Sequence, residues 1–378
     1  KANKKHQGTL MFDLSSAYDV LDKDIFLLKA EACGFDFISR RWFDSYLSDR
    51  SQVVQVGNGW STKKSLDCGT PQGSSCSCAI FAFFVGDLQH WVRGGLLGAF
   101  ADDSFVTVNA DSEEELKTNL ESVGESILRF FASNNMVANA SKTAMLIFRR
   151  GSGKEPFRIV LAGEDIFETE EEKLLGVWIQ NDLKWSTHIQ KLTGELNFAL
   201  AILRRLKSQL GFKELRTIAE GIFMSRIRYA LPVFAAEFLR LDDSEPTSGH
   251  LQRLQKCQNE MLRTITGKKR RDHVKIADMI QNVRILSINQ LIGYGTLMEA
   301  WKAREFQIPV LGTLLDRHRD DDRTLRSDSS NSVSASKREA YSQVAEKLWN
   351  LSSQKFRSTN LTKVAKSEAK KLALSLPL

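Results

Sequence analysis

Proline is scarce, six in 378 residues, and no long polar tract occurs before the last sixty, which argues against general disorder. No run approaches eighteen consecutive apolar residues, and the opening Lys1-Ala2-Asn3-Lys4-Lys5-His6 is not followed by an apolar core. Neither a membrane span nor a signal peptide is therefore visible. The five cysteines, Cys33, Cys68, Cys76, Cys78 and Cys257, form neither an even framework nor a paired C-x-x-C array. They read as reduced thiols of a cytosolic or nuclear protein. Cys76 and Cys78 lack a second pair at metal-ligand spacing, so zinc is not expected. No internal repeat is apparent.

What is present is a globular composition, 42% hydrophobic and 26% charged, on a chain long enough for two or three domains. The charge is uneven. Residues 239–378 carry 25 Lys and Arg against 16 Asp and Glu, net +9, which leaves −2 of the total +7 for residues 1–238. A near-neutral first part and a basic second part suit a protein that works on nucleic acid, although a set of basic surface helices would give the same balance.

The hydrophobic periodicity divides the chain. Gly8–Leu14 reads as a buried strand with Asp13 near its end. Leu21–Ala32 and Ile38–Leu47 read as helices, and Ser51–Val56 and Ser61–Leu66 as strands joined at Gly57-Asn58-Gly59. A loop over Gly69–Ser75 precedes an apolar helix over Ala79–Val92. A helix of about twenty residues opens at Ser112, a strand covers Ala144–Phe148, a turn covers Gly151–Lys154 and a small hairpin covers Ile159–Phe167. From about residue 185 the spacing is almost wholly helical: Trp185–Leu206, Phe212–Tyr229, His250–Thr266 and Ile288–Arg304. The expectation is α+β over residues 1–184, then helices over 185–305, a polar linker over 306–336 and a basic helical tail over 337–378.

The chemistry centres on Asp102 and Asp103. They interrupt an apolar, β-prone run, Gly98–Val108, as acids do at the tip of a hairpin. Adjacent fixed carboxylates repel unless a cation sits between them, and Mg²⁺ is the ordinary choice. A plain Asp-Asp turn is the rival. If the strand carrying Asp13 is a neighbour in the same sheet, three carboxylates converge on one edge and can hold two Mg²⁺ for phosphoryl transfer.

Phe12-Asp13-Leu14-Ser15-Ser16-Ala17-Tyr18-Asp19, Gly69-Thr70-Pro71-Gln72-Gly73-Ser74 and Phe100-Ala101-Asp102-Asp103 resemble, in order and spacing, three successive palm motifs of reverse transcriptases. The resemblance is to those of non-LTR retrotransposons, LINE-type and jockey-like. Asn139–Thr143, Lys173–Trp178 with Leu183–Ile189, Ile222–Ala230 and Leu254–Asn259 are similar to later segments of that family. The likeness covers about residues 8–305. It implies an α+β palm of the polymerase right-hand type, with an antiparallel sheet and packed helices, followed by an all-α thumb and C-terminal helical region.

The resemblance also implies roles. Asp13, Asp102 and Asp103 would be catalytic and hold two Mg²⁺, with Mn²⁺ as the alternative. Tyr18 would crowd the sugar 2′ position, and Gln72 and Gly73 would line the dNTP and template pocket. Lys142 would contact phosphate, and Leu175 and Gly176 would form the primer grip. Read from charge and not from the resemblance, Lys268, Lys269, Arg270 and Arg271, taken as ending a helix, would hold nucleic-acid backbone, with a solvated helix terminus as the alternative. Trp301 and Trp349 read as core rather than base-stacking residues. The partners implied are an RNA template, a DNA primer and dNTPs, without a membrane. Oligomeric state is left open and the location is nuclear or cytoplasmic. Ser16, Cys76 and Cys78 depart from the family pattern. The fingers that precede the first motif in that family lie upstream of Asp13, so the sequence reads as a palm-to-thumb part, a truncated or partial copy. Two other readings stand beside RNA-directed DNA polymerase: a nucleic-acid-binding remnant or co-opted domain without catalysis, and a group II intron-type maturase.

Overall fold

The computed structural model describes residues 6–14, 16–138, 143–148, 156–308 and 341–378. Lys142, the turn expected at Gly151–Lys154 and all but the first three residues of the expected linker lie outside them. The chain forms two compact units, Lys1–Lys184 and Trp185–Leu378.

The first unit is built on a six-stranded sheet. β1 (His6–Phe12) is followed by helices α1 (Lys23–Ala32) and α2 (Phe37–Leu47). Four short strands come next: β2 (Arg50–Gln52), β3 (Gln55–Val56), β4 (Gly59–Trp60) and β5 (Lys64–Leu66). They make two ladders, β2 with β5 and β3 with β4, around a two-residue turn at Gly57-Asn58, so the expected hairpin exists but is interrupted midway. Then come α3 (Ser75–Phe84), β6 (Gly95–Phe100), β7 (Asp103–Ala110), α4 (Glu113–Ser133), β8 (Ala144–Phe148), β9 (Arg158–Leu161) and β10 (Glu164–Thr169). The sheet order is β6-β7-β1-β8-β10-β9. β1 pairs antiparallel with β7 on one side and β8 on the other, while β10 joins β8 in parallel. A separate hairpin, β11 (Glu171–Leu174) and β12 (Val177–Gln180), closes the unit.

Sequence accounts for most of this. In β7, Ser104, Val106, Val108 and Ala110 are buried and alternate with more open residues, as a strand with one covered face requires. The cover includes α4, which presents Leu116, Leu120, Val123, Ile127, Phe130 and Phe131 at helical spacing. Ser112 caps α4 by accepting from the Glu115 backbone N–H at 3.1 Å. Phe26, Phe81 and Phe84, on α1 and α3, fill the same core and are each fully buried. Burial of a ring of this size contributes about 2 kcal/mol.

The second unit is helical: α5 (Ser186–Leu206), α6 (Phe212–Ala219), α7 (Ser225–Arg228), α8 (Leu231–Ala235), α9 (Gly249–Thr266), α10 (Ile276–Val283), α11 (Ile288–Glu305), α12 (Tyr341–Leu351), α13 (Gln354–Ser358) and α14 (Thr362–Ser375). A continuous core links Leu196 and Leu203 of α5 with Leu254 and Met261 of α9 and Ile288 and Ile292 of α11. Within the expected tail, α12–α14 pack through Leu348, Phe356, Ala365 and Ala369 against Trp301 and Leu297. Trp301 is 2% exposed and donates from its indole N–H to the Thr359 carbonyl at 3.0 Å, which makes it a core residue. Trp349 packs on Phe356 with its ring centroid 5.4 Å away.

Three elements differ from the sequence reading. The helix expected over Ala79–Val92 begins four residues earlier, because the Ser74 hydroxyl caps it, and gives way to a 3-10 turn at Gly86–His90. The helix expected over Phe212–Tyr229 contains a π turn at Glu220–Met224. The basic run Lys268–Arg271 does not end a helix: α9 stops at Thr266, and Gly267 takes the left-handed conformation that glycine alone adopts without cost.

Candidate active site

Asp13 lies one residue beyond the end of β1, and Phe12 stands opposite Ser104 of β7. The ladder therefore brings Asp13 beside Asp103. Asp102 occupies the turn between β6 and β7, where Phe100 pairs with Asp103 around a two-residue loop, Ala101-Asp102. Ala101 has φ 54°, and Asp102 is not in the positive-φ region, the pattern of a type II′ hairpin turn. Glycine is the usual residue at that first position, so alanine stores strain of about 1 kcal/mol at the tip.

The carboxylates share one neighbourhood. The Asp103 carboxyl is held above its ordinary value of 3.8, first by partial desolvation, then by the charge of Asp102 and then by that of Asp13. The residue as a whole is exposed, so packing immediately around the carboxyl, not deep burial, is responsible. Excess negative charge of this kind, on hard oxygen donors, suits a divalent cation such as Mg²⁺. However, among the described residues no three His, Cys, Asp or Glu side chains are arranged as a ready-made metal cage. Successive strand residues point to opposite faces, so Asp102 and Asp103 do not simply join Asp13 on one side. The donor set fits an ion that takes its remaining ligands from substrate phosphates and water, the ordinary habit of Mg²⁺.

Tyr18 sits in the turn after Asp13. Its ring is stacked on Phe81 of α3, with centroids 4.6 Å apart and 26° between planes. Its hydroxyl is raised above the usual phenol value of 10.0 by burial first, then by the electrostatic effect of the Cys78 side chain and the hydrogen bond shared with it, then by Asp102. Tyr18 is thus a neutral, fixed ring within electrostatic reach of Asp102. Cys78, set aside as a departure from the motif, is the neighbour that sequence reasoning missed. Its only signal was its spacing, one helical turn before the Phe81–Phe84 face.

The loop carrying Gln72 and Gly73 is fastened to the same turn by backbone. The Thr70 N–H donates to the Tyr18 carbonyl and the Gly69 N–H to the Leu21 carbonyl, both at 2.8 Å. Arg50, also missed, donates to the Cys68 carbonyl at 2.7 Å and to the Gly69 carbonyl. The Gln72 side-chain amide donates to Asp19 Oδ1 at 2.8 Å, and Ser77 Oγ donates to the Pro71 carbonyl at 2.6 Å. Gln72 and Gly73 are exposed, and Gly73 has φ 82°.

The other sequence-derived candidates lie on other elements. Leu175 and Gly176 form the turn between β11 and β12, with φ 46° and 83°, the two positive values of a type I′ turn. Lys142 falls outside the described residues. In the basic run of the second unit, Arg270 is held by Glu260, with Nη2–Oε1 at 2.7 Å and Nε–Oε1 at 3.1 Å. That pairing removes one of the four charges expected to be offered to a phosphate backbone.

A family model described as reverse transcriptase (RNA-dependent DNA polymerase) matches residues 1–179. The chain is 25% identical over 282 residues to the RNA-directed DNA polymerase from mobile element jockey of Drosophila funebris, covering 70% of this chain and 29% of that protein. It is 27% identical over 236 residues to the retrovirus-related Pol polyprotein from type-1 retrotransposable element R1 of Bradysia coprophila, covering 60% of this chain and 23% of that protein. The chain thus spans less than a third of these relatives. A telomerase structure from Candida tropicalis aligns over 86% of this chain and 50% of its own, at 13% identity and a TM-score of 0.35, too low to bear on the fold.

Proposed function

We propose, for a chain whose residues 1–179 match the reverse transcriptase family and which is related to the polymerases of non-LTR retrotransposons, that it supplies the palm and thumb of an RNA-directed DNA polymerase. In this reading residues 1–184 are the palm and 185–305 the thumb and the helices after it. The observation that carries it is the meeting of Asp13, Asp102 and Asp103 at one end of the β1–β7 ladder, with Tyr18 and the Gln72 loop tied to the turn that follows Asp13.

Asp13 and Asp102 would be the principal ligands for two Mg²⁺, with Asp103 beside them. Bound there, the ions would supply charge neutralisation for an attacking 3′-hydroxyl and for a pyrophosphate leaving group. The chain's own residues do the positioning. Tyr18, braced by Phe81, would close the space next to the sugar 2′ carbon, so that a ribonucleotide meets a ring where a deoxynucleotide does not. Gln72 and Gly73 would line the nucleotide pocket on a loop whose shape is set by its hydrogen bonds to Tyr18 and Leu21. Leu175 and Gly176 would support the primer end. Lys268, Lys269 and Arg271 would hold backbone phosphate, with Arg270 lending part of its charge to Glu260. RNA template, DNA primer and dNTPs are the partners this assigns. Among the described residues no helix is long and apolar enough to cross a membrane.

Primer extension tests the reading. The chain, and a longer protein containing it, are given a DNA primer on an RNA template with dNTPs, with and without Mg²⁺. Metal-dependent extension on RNA is expected. Nucleic-acid binding without extension by either protein would make the domain a binding module instead.

A further inference from the structure

The second unit contains a cavity of about 500 Å³, and its charge is one-sided. Five cations, Arg228, Arg284, Lys302, Lys366 and Lys370, line it, against the single carboxylate Glu299. Glu299 is already engaged by Lys302 at 2.8 Å, and Arg228 is paired with Glu220 at 2.6 Å. Among the described residues Arg284, Lys366 and Lys370 have no carboxylate partner. Tyr294, half-buried, forms part of the wall, and the charges of Arg228 and Lys302 both act on its hydroxyl.

The walls are held in place. α11 runs close to α8, so that a Cβ on Gly295 would lie 2.9 Å from Pro232 Cγ, and close to α14, where a Cβ on Gly293 would strike Leu376 Cδ1. The side-chain amides of Gln290 and Asn289 donate to the carbonyls of Leu376 at 3.3 Å and Pro377 at 3.0 Å, anchoring the end of α14. Lys366 and Lys370, on the same helix, line the cavity. They stand four residues apart on one helix face, where like charges repel and cost stability unless an anion lies between them. Arg284 takes the left-handed conformation, φ 60°, at the end of α10, a strained state for a non-glycine residue, and lines the same cavity.

An aromatic wall, apolar flanks from Leu231 and Met298, and three lining cations without a carboxylate partner among the described residues are complementary to one unpaired nucleotide: a base to stack and phosphates to neutralise. The size lies within the roughly 300–1,000 Å³ of ordinary ligand pockets. We propose that this cavity is a binding site for single-stranded nucleic acid, with a base against Tyr294 and its flanking phosphates on Arg284, Lys366 and Lys370. None of these residues has an individual role in the polymerase reading, although all but Lys366 and Lys370 lie in the 185–305 segment taken there as thumb and following helices, and the site stands whether or not the first unit proves catalytic.

The test is fluorescence anisotropy on the full chain with a labelled single-stranded RNA twenty nucleotides long, its DNA counterpart and a duplex of the same sequence, over a salt series. The double variant Lys366→Glu/Lys370→Glu is expected to weaken single-strand binding at least tenfold. Its slope of log affinity against log salt should be shallower by about 1.4, the share of two phosphate contacts on a single strand. Lys363→Glu, on α14 but outside the cavity, should change binding far less. Tyr294→Phe should bind like the parent and Tyr294→Leu about tenfold more weakly, with thermal melts run alongside. Unchanged affinity and slope in the lysine variant would overturn the proposal. So would an equal loss in Lys363→Glu, or a duplex that binds as well as the single strand and is equally weakened by the lysine changes.

Discussion

Asp13 and Asp103 meet across the β1–β7 ladder, one step beyond the Phe12–Ser104 pair, and the Asp103 carboxyl is held above its ordinary value by partial desolvation first, then by the charge of Asp102 and then by that of Asp13. Replacing Asp103 with Asn should therefore stabilise the protein at neutral pH, and on the proposed function it should also lower dNTP incorporation. The sign follows from the raised folded-state value. The charged form is disfavoured on folding, so the stability associated with this group is present below the unfolded value and is lost as pH rises through the folded one, in a window opening just above 3.8. Because the residue is exposed, the gain is small, roughly 1 °C in melting temperature. Melting curves of the two proteins at pH 3 and pH 7 check it: they should coincide at the lower pH and separate at the higher.

On the proposed function, the same repulsion would make these carboxylates a place where a divalent cation stabilises the fold. Mg²⁺ at ten times its dissociation constant should add about 1.4 kcal/mol by mass action. In Asp13→Asn and Asp102→Asn that increment should shrink or vanish, and dNTP incorporation should fall by about a thousandfold while nucleic-acid affinity stays within a factor of about three. Metal titrations followed by thermal melting read the first effect without any need for activity, and single-nucleotide incorporation reads the second. A variant that incorporates dNTPs normally would remove these carboxylates from the chemistry.

Two glycines in the Gln72 loop should differ sharply. Gly69 has φ 85°, and a Cβ there would lie 2.7 Å from the Asp19 carbonyl oxygen, a backbone atom that has nowhere to go. Gly73 has φ 82°, and nothing lies within 4 Å of a Cβ placed on it. Gly69→Ala should cost about 3 kcal/mol, because strain and a backbone clash combine, and Gly73→Ala about 1 kcal/mol from strain alone. Urea titrations separate the two by midpoint at constant slope. Since Gly69 and Thr70 fasten the loop to the Asp19 turn, Gly69→Ala should also raise the KM for dNTP in any protein that extends primers.

Much of this architecture was legible because its signals are local. The alternation of Ser104, Val106, Val108 and Ala110 marks β7, the Ser112 cap with three following acids marks α4, and Gly57-Asn58 marks a hairpin turn. The apolar flanks of Asp102 and Asp103 give the strand, turn, strand pattern that β6 and β7 show. What was not legible depends on distant or atypical partners. Alanine at position 101 carries no sign of the left-handed turn it adopts, and a run of Ser and Cys hides the start of α3. The Tyr18–Cys78 contact joins residues sixty positions apart, and the tie between Arg270 and Glu260 depends on how the chain turns back after Gly267. The cavity around Tyr294 needs α10, α11 and α14 together, so no single segment announces it.

Tyr18 gives the sharpest test of sugar selection. Its ring is fixed by Phe81 on one side, and its raised phenol stays protonated through the neutral range, so on the proposed function it would act by volume and not by charge. Tyr18→Val should leave incorporation of dNTPs within a few-fold of the parent and raise that of NTPs by about tenfold to a hundredfold, the span that one steric contact in a pocket can provide. Tyr18→Phe keeps the ring and removes only the hydroxyl and its bond to Cys78, and should preserve discrimination. Competition between a dNTP and the matching NTP on one template reads both variants directly. If Tyr18→Phe relaxes selection as much as Tyr18→Val does, the hydroxyl and Cys78, not the ring, set the limit on the sugar.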